Sequence, residues 1–168
     1  MGTTTLSSFS LNLPGLASML STTSSGVAQL INNPSPAVQS AIALTLGSAA
    51  EQADIGVVLA LSVTSGAAYT LNLSGSGVDQ FGNNFTMAHL MCALLVNNST
   101  TSGQNFVVGA GTHSVFGSDQ ITAYPTGGLA FFYNPNAGYT VTVSSTDTFT
   151  ATLAAGTSVS ATLVLLGR

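Results

Sequence analysis

The chain has 168 residues, which is enough for one domain with its own core, and only 4% of them are charged. Ordinary soluble domains contain roughly 25% charged residues, so Ser and Thr hydroxyls must supply most of the polarity of this surface. One Arg and no Lys argue against direct nucleic acid binding, because phosphates are neutralised by several cations on one face. No apolar run approaches the roughly 20 residues of a membrane span.

Residues 1–50 contain no charged side chain and predict an N-terminal arm of short elements. Alternation over residues 6–13 predicts a strand with Phe9, Leu11 and Leu13 on one face. Apolar spacing in residues 16–20, 27–31 and 37–46 predicts short helical segments. We expect this arm to pack on the main domain or on a neighbouring subunit. A disordered leader is the alternative, and the apolar content of the arm argues against it.

Residues 51–168 predict an all-β domain, a β-sandwich or jelly roll of about eight strands. The run over residues 89–96 is apolar on both faces, which predicts a strand covered on both sides, one of them from outside the domain. Good helix formers leave a helix over residues 87–95 as the alternative. The predicted strands span residues 57–63, 68–73, 89–96, 105–108, 120–124, 129–133, 139–144, 148–153 and 158–166. The Ser-Gly-Ser-Gly segment at residues 74–77 predicts one of the turns between them.

Residues that perform catalysis are scarce and form no recognisable constellation. His89 and His113 are the only histidines, and neither has the neighbours of a metal site. Asp79 and Asp119 lie in predicted turns, where their carboxylates are expected to accept hydrogen bonds from local backbone. Cys92 is expected to be a buried hydrophobe. We therefore predict no catalytic, cofactor-binding or metal site and no enzyme, with a Ser-His-Asp hydrolase as the weakest alternative.

Apolar side chains outside the predicted core supply the expected contact surface. The aromatic run at residues 131–133 is expected to face the core on one side and a partner on the other, or to stack on sugar rings. The predicted interface residues are Phe9, Leu11, Leu13, Met91, Leu95, Phe131, Phe132 and Tyr133.

Motifs spread over residues 50–168 resemble those of small structural proteins from tailed bacteriophages. The motifs are Ala53-Asp54, Leu71-Asn72-Leu73, Asp79-Gln80-Phe81-Gly82, Leu94-Leu95-Val96-Asn97-Asn98-Ser99-Thr100-Thr101, Val107-Val108-Gly109, Pro125-Thr126-Gly127-Gly128, Gly138-Tyr139 and Val164-Leu165-Leu166-Gly167. In order and turn placement they are similar to jelly-roll head decoration (cement) proteins and related head-fibre modules. The arm at residues 1–50 lies outside this resemblance.

The resemblance implies a homotrimer on the outer surface of the virion capsid, bridging subunits of the major capsid protein without catalysis or cofactor. A capsid contact by the arm is then expected as well. The alternative function is a tail or fibre module that binds a host glycan through residues 131–133. A hydrolase acting on cell-wall polysaccharide is the third reading.

Overall fold

The computed structural model describes residues 20–22, 28–30, 44–109 and 111–168, and every regular element in these ranges is a β-strand. The strands are β1 (Leu20–Thr22), β2 (Ala28–Leu30), β3 (Thr45–Leu46), β4 (Gln52–Ala53), β5 (Ile55–Thr64), β6 (Ala68–Asn72), β7 (Ser74–Val78), β8 (Asn84–Thr86), β9 (His89–Asn97), β10 (Phe106–Val108), β11 (Ile121–Ala123), β12 (Leu129–Tyr133), β13 (Tyr139–Thr140), β14 (Thr148–Leu153) and β15 (Ser158–Gly167). The all-β prediction is therefore confirmed for the part of the chain that the structure describes.

Two antiparallel sheets form the body of the molecule. The β5 sheet has the order β12-β9-β15-β5, with β13 also paired to β9, and the β6 sheet has the order β11-β10-β14-β6. The pairing is nested: β5 pairs with β15, β6 with β14, β9 with β12, and β10 with β11. The chain therefore forms one long antiparallel ribbon that passes repeatedly from one sheet to the other.

One hydrophobic core lies between the sheets and takes side chains from both of them. Alternation along β14 and β15 places every second residue in this core, as the sequence predicts. The inward residues are Phe149, Ala151 and Leu153 in β14 and Val159, Ala161, Leu163 and Leu165 in β15, each at most 3% exposed. Full burial of one large apolar side chain contributes about 1.5–3 kcal/mol, so these two strands anchor the fold.

The strand predicted over residues 89–96 is confirmed, and the alternative of a helix over residues 87–95 is excluded, because β9 pairs with strands on both sides, β12 and β15. Two other predictions about local elements need correction. The sequence predicts a turn at residues 74–77, but β7 and β8 form a hairpin there. The strand predicted over residues 139–144 ends at Thr140, because the backbone turns after it: Ser145 N and Thr146 N both donate to Thr142 O, and Ser144 has a positive φ of 60°.

Parts of two predicted helices of the arm lie in the described residues, and the structure has strands there. Strand β2 lies within the helix predicted over residues 27–31, and it pairs antiparallel with β1. Strand β3 falls in the last part of the helix predicted over residues 37–46, and it pairs in parallel with β4. The other arm predictions, including the strand with Phe9, Leu11 and Leu13, lie outside the described residues.

Candidate interaction surface

The outer face of the β5 sheet carries an apolar patch. The register of the strands aligns Phe131 with Leu94, Leu94 with Val164, and Val164 with Val58 in one row across the sheet. The outer patch is this row together with its neighbours on the same face, and its accessible side chains are those of Val58, Val96, Leu129, Phe131, Tyr133 and Val164. Leu94 belongs to the row but is only 2% exposed. Val58 is 46% exposed, and the rings of Phe131 and Tyr133 stack with centroids 6.0 Å apart. No charged side chain belongs to this patch.

Residues 44–54 cover one end of this outer face. Leu44, Phe131 and Tyr133 pack against a small cluster of Ala53, Cys92 and Leu166. Burial raises the pKa of the Cys92 thiol to about 12, and the prediction that this cysteine is a buried hydrophobe is confirmed. The second face of β9 is thus covered at this end by the chain itself.

The outer face of the β6 sheet is different, because threonine dominates it. Its register places Thr122 beside Val107, Val107 beside Thr152, and Thr70 beside Thr150, which is itself only 5% exposed. Hydroxyls on β-branched side chains suit a strand surface that faces water. The two outer faces of the molecule therefore differ in character, and the apolar one is the better candidate for burial in an assembly.

The structure separates the predicted interface residues into two groups. Met91 and Leu95 are 0% exposed and Phe132 is 6% exposed, so these three side chains offer a partner almost no accessible surface. Phe132 instead stacks in the core on Phe116, with ring centroids 3.8 Å apart. Phe131 and Tyr133 lie on the outer patch, and their contact with a partner stays a prediction. Sequence reasoning missed Val58 and Val164 on that patch.

The histidines, aspartates and cysteine singled out in the sequence do not come together in one site among the described residues. Within the described ranges, no three His, Cys, Asp or Glu side chains are grouped closely enough to hold a metal ion. Asp79 accepts hydrogen bonds from the backbone N–H groups of Phe81 and Asn83, both at 2.8 Å, which confirms its local role. Asp119 makes no such side-chain bond with described residues, so that prediction is wrong for Asp119.

Asp147 is a buried carboxylate that accepts several side-chain and backbone hydrogen bonds. Its Oδ2 accepts hydrogen bonds from Ser144 N (3.0 Å), Ser74 Oγ (3.1 Å) and Asn72 Nδ2 (3.2 Å). Its Oδ1 lies 3.8 Å from His113 Nδ1. The backbone N–H of Ser144 makes the largest contribution to lowering the Asp147 pKa below its usual value. The carboxylate therefore ties the β6–β7 corner to the loop before β14.

Stability is expected to fall in acid because of Asp147. A folded-state pKa below the unfolded value of about 3.9 stabilises the fold above that pH, and this contribution is lost as the pH falls through the folded pKa. Urea unfolding midpoints measured from pH 6 to pH 2 should fall more steeply below about pH 4 in the unmodified chain than in Asp147→Asn. Asp119→Asn is the matched control and should keep the steep slope. Equal slopes in the unmodified chain and Asp147→Asn would contradict this role.

Comparisons with known proteins identify no relative of this chain. No protein-family model matches the chain, and no curated protein matches it either. Among the described residues, no helix has the length and apolar character needed to cross a membrane.

Proposed function

We propose that this chain is a structural virion protein that decorates the outer surface of a tailed-phage capsid and stabilises the head. The outer patch is the observation that carries the proposal: an uncharged, apolar outer face on the β5 sheet, whereas the outer face of the β6 sheet is rich in threonine. A surface of this kind is suited to permanent contact with other subunits. The phage-like motifs in residues 50–168 favour the capsid as the place of that contact.

A jelly-roll fold is part of the same proposal. The nested pairing of β5 with β15, β6 with β14, β9 with β12 and β10 with β11 is what a ribbon rolled into two facing sheets requires. Double-sheet jelly rolls of eight strands occur in viral capsid proteins. The strand order therefore supports the jelly-roll fold, and the place in a virion rests on the phage-like motifs.

The mechanism would be adhesion without catalysis. A homotrimer would bury the outer patch between copies, and the trimer would then bridge neighbouring subunits of the major capsid protein. Each Å² of apolar surface removed from water contributes about 25 cal/mol, from which the cost of association is subtracted. Because only 4% of residues are charged, many copies could lie side by side with little electrostatic repulsion.

Quantitative mass spectrometry of purified virions tests this proposal, with the major capsid protein as the internal standard. We expect a fixed ratio of this chain to the major capsid protein, and retention on the particle after a high-salt wash, because an apolar contact is insensitive to ionic strength. In a reconstruction of the virion by electron cryo-microscopy, density for residues 51–168 should lie on the outside of the capsid. Finding the chain in infected-cell extract but not in the particles would contradict the proposal.

A further inference from the structure

A polar cleft of about 230 Å³ lies where the loop between β9 and β10 meets the beginning of β15. Hydroxyl and amide side chains line nearly all of it. The lining residues are Asn98, Ser99, Thr100, Thr101, Gln104, Ser158, Val159 and Ser160. No charged residue is among them, and Val159 is 3% exposed because its side chain belongs to the core.

Hydrogen bonds hold the loop side of this cleft in shape. Ser99 Oγ donates to Gln104 Oε1 at 2.5 Å and accepts from Thr101 N at 3.0 Å. Ser99 N donates to Oδ1 of Asn97, a side chain that is 0% exposed. The loop is therefore tied to the interior, so a ligand would meet a preformed surface.

Several polar groups of the cleft remain available for a ligand. The hydroxyls of Thr100, Thr101 and Ser160 make no hydrogen bond with the described part of the chain, and neither does the Gln104 side-chain nitrogen. Asn98 Nδ2 donates to Thr162 Oγ1 at 3.1 Å, which leaves its Oδ1 free to accept. Donors and acceptors thus lie side by side without any fixed charge.

The uncharged hydroxyl and amide groups that line the cleft favour one class of ligand. No cation lines the cleft to favour a phosphate or carboxylate, and the single Arg of the chain, Arg168, follows the opposite end of β15, roughly 33 Å along that strand from Ser158. A peptide or a lipid would require apolar anchors, and the only apolar lining residue faces the core. Adjacent hydroxyls of a sugar both donate and accept, as these amides and hydroxyls do. We propose that the cleft binds a neutral saccharide.

The cleft is separate from the aromatic run for which the sequence suggests a sugar platform. Phe132 faces the core, so residues 131–133 do not present three rings on one surface. The cleft lies instead beyond the apolar rows, where the outer face of the β5 sheet becomes polar with Asn98 and Ser160. Saccharide binding here therefore does not depend on the outer patch or on capsid attachment.

Saturation-transfer NMR of the full chain tests the proposal, with maltotriose, chitotriose and lactose as neutral probes and sialyllactose as a charged one. At least one neutral probe should bind, and Thr101→Val and Ser160→Ala should each weaken that binding about fivefold, the effect of one lost hydrogen bond. Thr122→Val and Phe131→Ala are the matched controls on other surfaces and should leave the affinity unchanged.

Three results would overturn the saccharide site. The first is no binding of any neutral probe, and the second is tighter binding of sialyllactose than of lactose. The third is binding that Phe131→Ala abolishes while both cleft variants retain it. Circular dichroism of each variant should match the unmodified chain, so that loss of binding is not loss of fold. None of these results bears on the presence of the chain in virions.

Discussion

Replacing Asn97 with alanine is expected to lower the free energy of unfolding by about 3 kcal/mol, because buried polar groups left unpaired cost about 1–3 kcal/mol each. Asn97 is 0% exposed at the end of β9. Its Nδ2 donates to Gln104 O at 2.7 Å and Ala123 O at 3.0 Å, and its Oδ1 accepts from Ser99 N. One side chain therefore joins the end of β9 to β11 and to the loop before β10.

Asn98→Ala is the natural control for this substitution. The neighbouring side chain is exposed and donates only to Thr162 Oγ1 on the outer face. Urea unfolding followed by circular dichroism should show a change of about 0.5 kcal/mol or less for Asn98→Ala, as is usual for surface substitutions. Similar losses for both variants would show that the Asn97 bonds do not hold the loop to the sheet.

Replacing Val164 with aspartate is expected to abolish self-association while leaving the fold intact. Val164 lies in the central row of the outer patch, between Leu94 on β9 and Val58 on β5. A carboxylate buried between copies without a cation is strongly unfavourable, and no Lys is present to pair with it. In a free monomer Val164 is half-buried, so the same carboxylate would reach water at a smaller cost than between copies.

Thr152→Asp is the matched control, because Thr152 occupies a similar position on the outer face of the β6 sheet, between Val107 and Ala68. We expect this variant to keep the mass of the unmodified protein in light scattering and Val164→Asp to have the mass of one chain. Melting temperatures measured at the same time would show whether both variants are folded. Dissociation of both variants, or of neither, would exclude the outer patch as the site of self-association.

The sequence is most informative where a strand buries only one face. Alternation in β14 and β15 predicts the inward residues correctly, since the side-chain period of two is visible in the Thr and Ser positions. The sequence does not predict strand β7, because its Ser-Gly-Ser-Gly segment is typical of a turn. Gly77 explains the discrepancy: a Cβ at that position would lie 2.0 Å from Asn72 O, so the hairpin depends on the missing side chain.

The candidate surfaces are harder to predict because they depend on register. Val164 lies in an apolar run from Leu163 to Leu166, and its outward direction becomes meaningful only when β9 and β5 are placed beside it. The cleft joins the loop at residues 98–104 to the start of β15, which are far apart in sequence. Ser and Thr are so frequent that none of its residues is conspicuous. Phe131 and Tyr133 are predictable because residues 131–133 form the densest aromatic cluster of the chain.

Multi-angle light scattering of the unmodified protein at micromolar concentration most directly tests whether the chain self-associates into a homotrimer through the outer patch. The proposal predicts a mass of three times 16.8 kDa, unchanged by high salt because the patch carries no charge. A stable mass of 16.8 kDa under the same conditions would contradict it.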